Sequence, residues 1–470
     1  MDTRTNERLS GLVANTLVAS LFFSVALGLA FLALLRHNAL ACVKAACAVQ
    51  VVIPAIVGVA ALASGAVAGG VVLLVCAALA GLAFYLWRHE LALCARLLSV
   101  ASAALNENAH LVSASVGLQV VAVVTALPLV GFVVAATRVG APVPSALATS
   151  TSPAADGTLM CLDDSKSVVP CCMWQPAGGA VLYIVFASLV LSWCTALIFE
   201  LRLYSIAHTV ARWYYLPLGA RLPGKPVTVA MRAAVGPALG SLCLGSAVLT
   251  AADVARQAAE SARQRGSGLL ACLVTSIASC IAELLRLLTR FATVRCAMTG
   301  EAFMAAAGNV TELLTRHALS TYGVWRFPPM VLGFTSVALA VGYAGATLLA
   351  FNAVGAGIVA HAGAPDSSAR ADAVQALSVA SLGVALGALA LVLVVLVFLS
   401  SIIVNIVDTL YICFATDLDN AVLARPDVHA IFVAVPAVHV LVQQPDGELG
   451  YAPSAATGAA AQPHAAPPRV

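Results

Sequence analysis

Charged side chains are scarce in this chain. Asp, Glu, Lys and Arg make up 10% of its 470 residues, against about 25% in water-soluble domains. The shortage runs along the whole length, which excludes a soluble domain on a single anchor. Aromatic residues are also few, at 6%, and the net charge is only +3 with no Lys/Arg block. A nucleic-acid partner is therefore excluded. Catalytic signatures are missing as well: there is no His-x-x-x-His, Gly-x-Ser-x-Gly, P-loop or dinucleotide fingerprint. The chain reads as a non-enzyme that needs no cofactor. Without a nucleotide site, any transport it performs is facilitated or coupled to an ion or proton, not ATP-driven.

What fills the chain is Ala, Val and Leu, and 61% of residues are hydrophobic. A lipid interior cannot hydrogen-bond a peptide group, so a run of about 20 apolar residues there must be helical. Such runs lie at residues 12–35, 40–63, 69–87, 111–136, 180–199, 269–288, 330–351 and 376–407, with a shorter one at 234–250. The fold class is thus all-α: a polytopic transmembrane bundle of eight or nine helices embedded in a lipid bilayer. Ser64-Gly65 makes a short turn, so the runs on either side form an antiparallel pair. Residues 88–108 are amphipathic, with Leu91, Ala95, Leu98 and Ala101 in one stripe, and read as a cytoplasmic or interfacial helix. Three regions result: 1–110 with the first three spans and the amphipathic connection, a core at 111–427, and a cytoplasmic tail at 428–470 with a disordered Ala/Pro-rich end.

Lys and Arg in short loops set the orientation. The stretches at 36–44, 88–96 and 202–232 share one side, the cytoplasm, the last holding Arg202, Arg212, Arg221, Lys225 and Arg232. The 138–178 loop, with Asp156, Asp163 and Asp164, falls outside. That arrangement leaves Met1 outside with Arg4 and Arg8, and gives 234–250, followed by charged 253–265, the character of a re-entrant segment. Cys42, Cys76, Cys194, Cys272 and Cys280 sit in apolar runs as small hydrophobes. Cys161, Cys171 and Cys172 share the outer loop, where a disulfide from Cys161 to Cys171 or Cys172 suits an oxidising compartment. No histidine and no Cys-x-x-Cys pair accompany them, which disfavours zinc.

Five blocks carry a family likeness. Val407-Asp-Thr-Leu-Tyr-Ile-Cys-Phe-Ala-Thr-Asp-Leu-Asp419 resembles the closing motif of the choline transporter-like family, in which an Asp-Thr pair ends the last span. Arg212-Trp-Tyr-Tyr215, Leu239-Gly-Ser-Leu-Cys-Leu-Gly-Ser246, and Met298-Thr-Gly-Glu-Ala-Phe303 with Leu313-Leu-Thr-Arg316 resemble further blocks in the same order. Leu162-Asp-Asp-Ser165 followed by Cys171 is similar to the outer loop. Leu34-Leu-Arg36 and Trp87-Arg-His-Glu-Leu-Ala-Leu93 are similar to the second and fourth spans. On that register the family's first span and the loop after it are missing, leaving nine of ten spans. The resemblance implies alternating-access transport of choline or a related small organic cation, in the cell membrane or an endomembrane. The alternative is a divergent, non-transporting scaffold of the same family. A lipid enzyme using Asp417 and Asp419 is a weaker reading, since no metal-ligand spacing supports it.

A quaternary ammonium has no N–H to donate, so aromatic faces and carboxylates must hold it. Trp193 and Tyr204 are candidates for a cage, with an interfacial aromatic belt as the other reading; Trp213, Tyr214 and Tyr215 fit the belt. Glu200 is either a counter-charge for the cation or a snorkelling residue. Asp408, between Asn405 and Thr409, is either part of the site or a structural hydrogen-bonding group. Glu283 and Arg286 form an i,i+3 pair. Gly240 and Gly245, with Ser241 and Ser246, fit either close helix packing or a helix break at a transport site, and Gly300 a kink. The sequence departs from the family at Arg202, Tyr204 and His208, where small and amide residues are usual. An epitope inserted at Ser150 should be reached by antibody on intact cells, and one at Lys225 only after permeabilisation. Detection of both on the same face would overturn the assigned sidedness.

Overall fold

The computed structural model describes residues 3–144, 160–162, 168–170, 172–217, 224–265, 269–316, 318–361, 367–420, 422, 424–433, 439–443 and 449–453. Among them, eight helices are long and apolar enough to cross a membrane. The chain is a multi-pass, all-α membrane protein. Among the described residues, strands occur only as three two-stranded antiparallel pairs: β1 (Gly140–Pro144) with β4 (Cys172–Pro176), β2 (Met160–Leu162) with β3 (Val168–Pro170), and β5 (His439–Gln443) with β6 (Leu449–Pro453).

The first helix, α1 (Thr3–Ala63), has 61 residues, roughly 90 Å of helix against about 30 Å of hydrocarbon. It does not run straight. Asn38 takes a non-helical conformation (φ −140°, ψ 46°) and divides α1 into two limbs, at the Arg36-His37 break where the two apolar runs part. Gly65, with φ 87°, then makes the left-handed turn into α2 (Val67–Leu86). A glycine accepts that conformation without the Cβ clash other residues meet.

The chain forms two compact units. The first comprises Met1–Ser113, Tyr204–Arg232 and Val294–Val470. Its core brings together α1, α3 (Arg88–Glu107), α10 (Ala318–His361) and α11 (Ser367–Asp419). The amphipathic stripe of α3 is its buried face: Leu91, Ala95, Leu98 and Ala101 are all enclosed. The thiol of Cys94, on the same face, is pushed up to about 12 by burial. Leu9 of α1, Phe351 of α10, and Leu377 and Val384 of α11 pack as one apolar cluster. Tyr343 Oη donates to Ser20 Oγ at 3.1 Å while its ring stacks on Phe23. The last span continues beyond residue 407 to Asp419. Thr409 through Ala415 are buried all round, the signature of a helix enclosed by protein. Upstream on the same helix Val394 is 68% exposed, as a lipid-facing residue should be.

The second unit comprises Ala114–Leu203 and Ala233–Thr293. It draws on α4 (His110–Thr137), α5 (Gly178–Tyr214), α7 (Leu239–Arg265) and α8 (Leu269–Thr299). The 138–178 segment returns on itself through the β1–β4 pair, and Trp174 Nε1 donates to the Thr137 carbonyl at 3.0 Å. Cys161 lies on β2, whereas Cys171 and therefore its pairing fall outside the described residues. The 234–250 stretch expected to be re-entrant is interrupted: α6 (Pro226–Val235) ends in a turn at 236–238, and α7 then runs unbroken from Leu239 to Arg265, with several of its charges partnered. Arg256 meets Glu260 at 3.6 Å one turn away. Arg286 of α8 bonds both Asp253 and, at 3.1 Å, Glu283. The family-like stretch around Gly300 becomes a corner: Gly300 at φ 75° ends α8, and α9 (Phe303–Arg316) follows.

Close helix approach does occur at glycines, but not at Gly240, where an added Cβ would meet nothing within 4 Å. The start of α7 is simply open there. Tight approaches include Gly28 against Leu399, Gly355 against Leu377, Gly387 against Leu17, and Gly70 of α2 against Gly58 of α1, where an added Cβ would lie 2.8 Å from the Gly58 carbonyl oxygen. Neighbouring Gly69 has open space. Gly70→Ala should therefore destabilise by about 1–3 kcal/mol, while Gly69→Ala should be neutral or gain up to about 1 kcal/mol from helix propensity. Thermal unfolding in detergent compares the two; equal effects would refute the close contact.

Candidate functional site

The sequence nominates Trp193, Glu200, Tyr204 and Asp408, and the helices hold each of them differently. Trp193, on the second unit's part of α5, is 39% exposed, and its Nε1 donates to the Cys243 carbonyl of α7 at 3.3 Å. Glu200 lies two turns further along the same helix and is buried. Its Oε2 accepts a 2.5 Å hydrogen bond from Thr293 Oγ1 of α8, and Arg290 adds favourable charge. A snorkelling carboxylate would reach for water, so that reading fails for Glu200. Arg202 lies with its guanidinium over the Phe199 ring, 5.1 Å from the centroid.

In the first unit, Tyr204 is buried, with its ring stacked on His208 at 6.0 Å between centroids. His208 in turn hydrogen-bonds the Ala297 carbonyl through Nδ1 at 3.0 Å. Asp408 is 1% exposed, deep within α11. Beside it Thr409 Oγ1 donates to the Asn405 carbonyl at 2.8 Å, so the Asp-Thr pair sits in a hydrogen-bonded stretch of helix. Trp193 and Tyr204 thus each have a partner of their own.

The aromatic block departs from the expected belt. A belt residue faces headgroups, yet Trp213 and Tyr214 are buried. Trp213 Nε1 donates to Glu107 Oε2 at 2.6 Å, at the end of α3. Arg425, just before α12 (Pro426–Val433), lays its guanidinium over the Trp213 ring at 4.0 Å and donates from Nη1 to the Trp213 carbonyl at 3.1 Å. Tyr214 Oη donates to Asp417 Oδ2 at 2.9 Å, and the Ala424 amide reaches the same oxygen at 3.3 Å. Tyr215 also hydrogen-bonds Asp417. Burial, followed by the neighbouring Cys413 and Asp417, pushes its phenol far up, so it stays protonated. The indole and phenol donors are drawn inward because carboxylates await them; a buried donor without a partner would cost about 1–3 kcal/mol.

Glu107 and Arg425 are functional-looking residues that the sequence did not single out. Glu107 is 106 positions from Trp213, and Arg425 is 212, so no local spacing could link them. The one available hint was that Arg425 precedes a proline able to open a helix. A second polar node surrounds Gly300. Glu301 accepts from Arg295 Nε at 3.3 Å and from Asn309 Nδ2 at 2.9 Å. Partial burial alone would raise its carboxyl, but the bonds from Arg295 and Asn309 outweigh that and hold it below the ordinary range. Asn309 is thereby engaged within the corner. Among the described residues, no three His, Cys, Asp or Glu side chains group closely enough to hold a metal ion.

The described helices thus carry two buried carboxylates, Glu200 and Asp408, and the aromatic faces of Trp193 and Tyr204. Residues 71–419 match the profile of the family described as plasma-membrane choline transporter. The chain is also 25% identical to Choline transporter-like 2 of Anopheles gambiae over 167 residues, covering 34% of this chain and 21% of that protein. The aligned stretch is thus about a fifth of the relative's length. Because the family profile takes in most of the chain, from residue 71 to residue 419, the chain belongs to the plasma-membrane choline transporter family.

Proposed function

We propose that this protein is a multi-pass solute carrier of the plasma membrane that moves choline or a related small organic cation by alternating access, facilitated or coupled to an ion or proton. The observation that carries the reading is the family match over residues 71–419. The physical chemistry of the chain supports it. A carboxylate in a membrane helix is costly unless it serves a purpose, and Glu200 is buried on α5 between an aromatic-rich stretch and Thr293. Its charge can balance a cation that cannot itself donate a hydrogen bond. Trp193, in the same unit, supplies an aromatic face worth about 0.5–2 kcal/mol to a desolvated cation; Tyr204 and Asp408 are the first unit's own candidates for such a role.

One observation favours the rival reading of a non-transporting scaffold. Side chains of the protein already occupy some of the aromatic surface: Arg202 covers Phe199 and His208 stacks on Tyr204. Uptake of labelled choline into vesicles carrying the purified protein separates the two readings. A saturable signal competed by unlabelled choline is expected, and a signal equal to that of empty vesicles would overturn the carrier. Glu200→Gln should lower uptake about tenfold or more, the effect of losing roughly 1.4 kcal/mol of charge stabilisation. Thr293→Val, which removes a hydrogen bond but keeps the charge, should lower it less. Full uptake by both variants would remove Glu200 from the site.

A further inference from the structure

Three stretches far apart in sequence end side by side in the first unit: the last residue of α3, the last residues of α5 and the last turn of α11. What joins them is a short segment after α11. Its Ala424 amide binds Asp417 Oδ2 at 3.3 Å, and Val422 N binds the Asp417 carbonyl at 2.9 Å. Arg425 reaches Trp213 through both its ring and its carbonyl. Trp213 passes the connection on to Glu107 at 2.6 Å, and Tyr214 returns it to Asp417 at 2.9 Å. The segment then enters α12, which lies against α3 and α11. There Val428 is buried and the His429 ring packs at 5.0 Å on Phe414 of α11.

We propose that the segment carrying Ala424, Arg425 and α12 is a strap that fastens the ends of α3, α5 and α11, with Arg425 as its pin, and that its release opens the cytoplasmic end of the carrier. The sidedness and the transport cycle in that statement rest on the function proposed above; the strap itself rests on the contacts. The bonds are few and polar, so water can replace them one by one, unlike the apolar packing of Leu410, Ile412 and Phe414 beside them. Glu107 is exposed at the rim, where exchange with solvent is easiest. Arg425 is buried, and it links the segment to the Trp213 end of α5 through a planar, permanently charged group suited to stacking.

A native thiol reports on the strap. Cys413 lies one turn before Asp417, is 0% exposed and touches Met298 Sδ at 3.9 Å. Cys94, buried on α3 well before Glu107, reports on the fold as a whole. The experiment is N-ethylmaleimide labelling of the full-length protein in lipid vesicles, with each cysteine's rate read by mass spectrometry. Arg425→Ala should raise the Cys413 rate about tenfold, the effect of losing one charge-assisted hydrogen bond and one stacking contact, with Cys94 unchanged. Glu107→Gln, a milder change that preserves size, should raise it by a smaller factor. Should Arg425→Ala fail to fold, the Glu107→Gln result decides. Unchanged Cys413 labelling in the variants that fold would overturn the strap, as would Cys94 and Cys413 rising together. Labelling needs no solute: altered labelling without choline uptake would count against transport alone, and intact uptake with unaltered labelling against the strap alone.

Discussion

A peptide group buried in hydrocarbon has no water to bond, and every feature of this chain answers to that constraint. Long helices satisfy their N–H and C=O groups internally. Serine and threonine side chains in the spans follow the same rule by bonding back to a carbonyl one turn earlier, as Thr16 does to Leu12 at 2.7 Å and Thr335 to Val331 at 2.7 Å. Where the backbone leaves the helix it does so at residues that tolerate the departure: Asn38 within α1, Gly65 before α2 and Gly300 after α8.

Charge obeys a companion rule. Several charged groups within or beside the spans are matched, Arg286 with Asp253 and Glu283 and Arg295 with Glu301, and the Glu200 carboxyl accepts a hydrogen bond from Thr293. Exposed pairs of this kind contribute little to stability. Their larger effect is to fix which helix face meets which, because a buried charge deprived of its partner is costly. The densest such matching lies at the ends of α3, α5 and α11, where two carboxylates, one guanidinium, an indole and two phenols interlock.

The spans, their approximate limits and the buried stripe of α3 were legible from apolar periodicity alone, since lipid imposes one solution on a long apolar run. Asn38 breaks α1 where Arg36 and His37 interrupt the oily pattern. Harder to read was how far helices continue beyond the lipid. Once a helix enters protein, polarity no longer marks its end, and α11 runs on through Asp408 and Asp417 for that reason. The glycine pattern misled at Gly240 because spacing reveals a small residue but not what faces it. Trp213 and Tyr214 misled because a belt and a buried hydrogen-bonding pair share one composition. Glu107 and Arg425 were invisible, since contacts across a hundred or more positions leave no local trace. Asp408 and Glu200 stood out because an acid in an oily run is rare.

The exposed sides of these helices have a further consequence. Val124, Leu182, Leu349 and Val394 project from the protein surface, and in a bilayer they meet a liquid that conforms to any branched outline. Exchanging one aliphatic residue for another there leaves no void and forces no shift. Sequence drift on those faces is nearly free, while Gly70, Trp213 and Asp417 are held in place by rigid neighbours. A membrane protein built this way can lose most of its identity with a distant relative and keep its fold, and the 25% shared with the mosquito protein falls in that range.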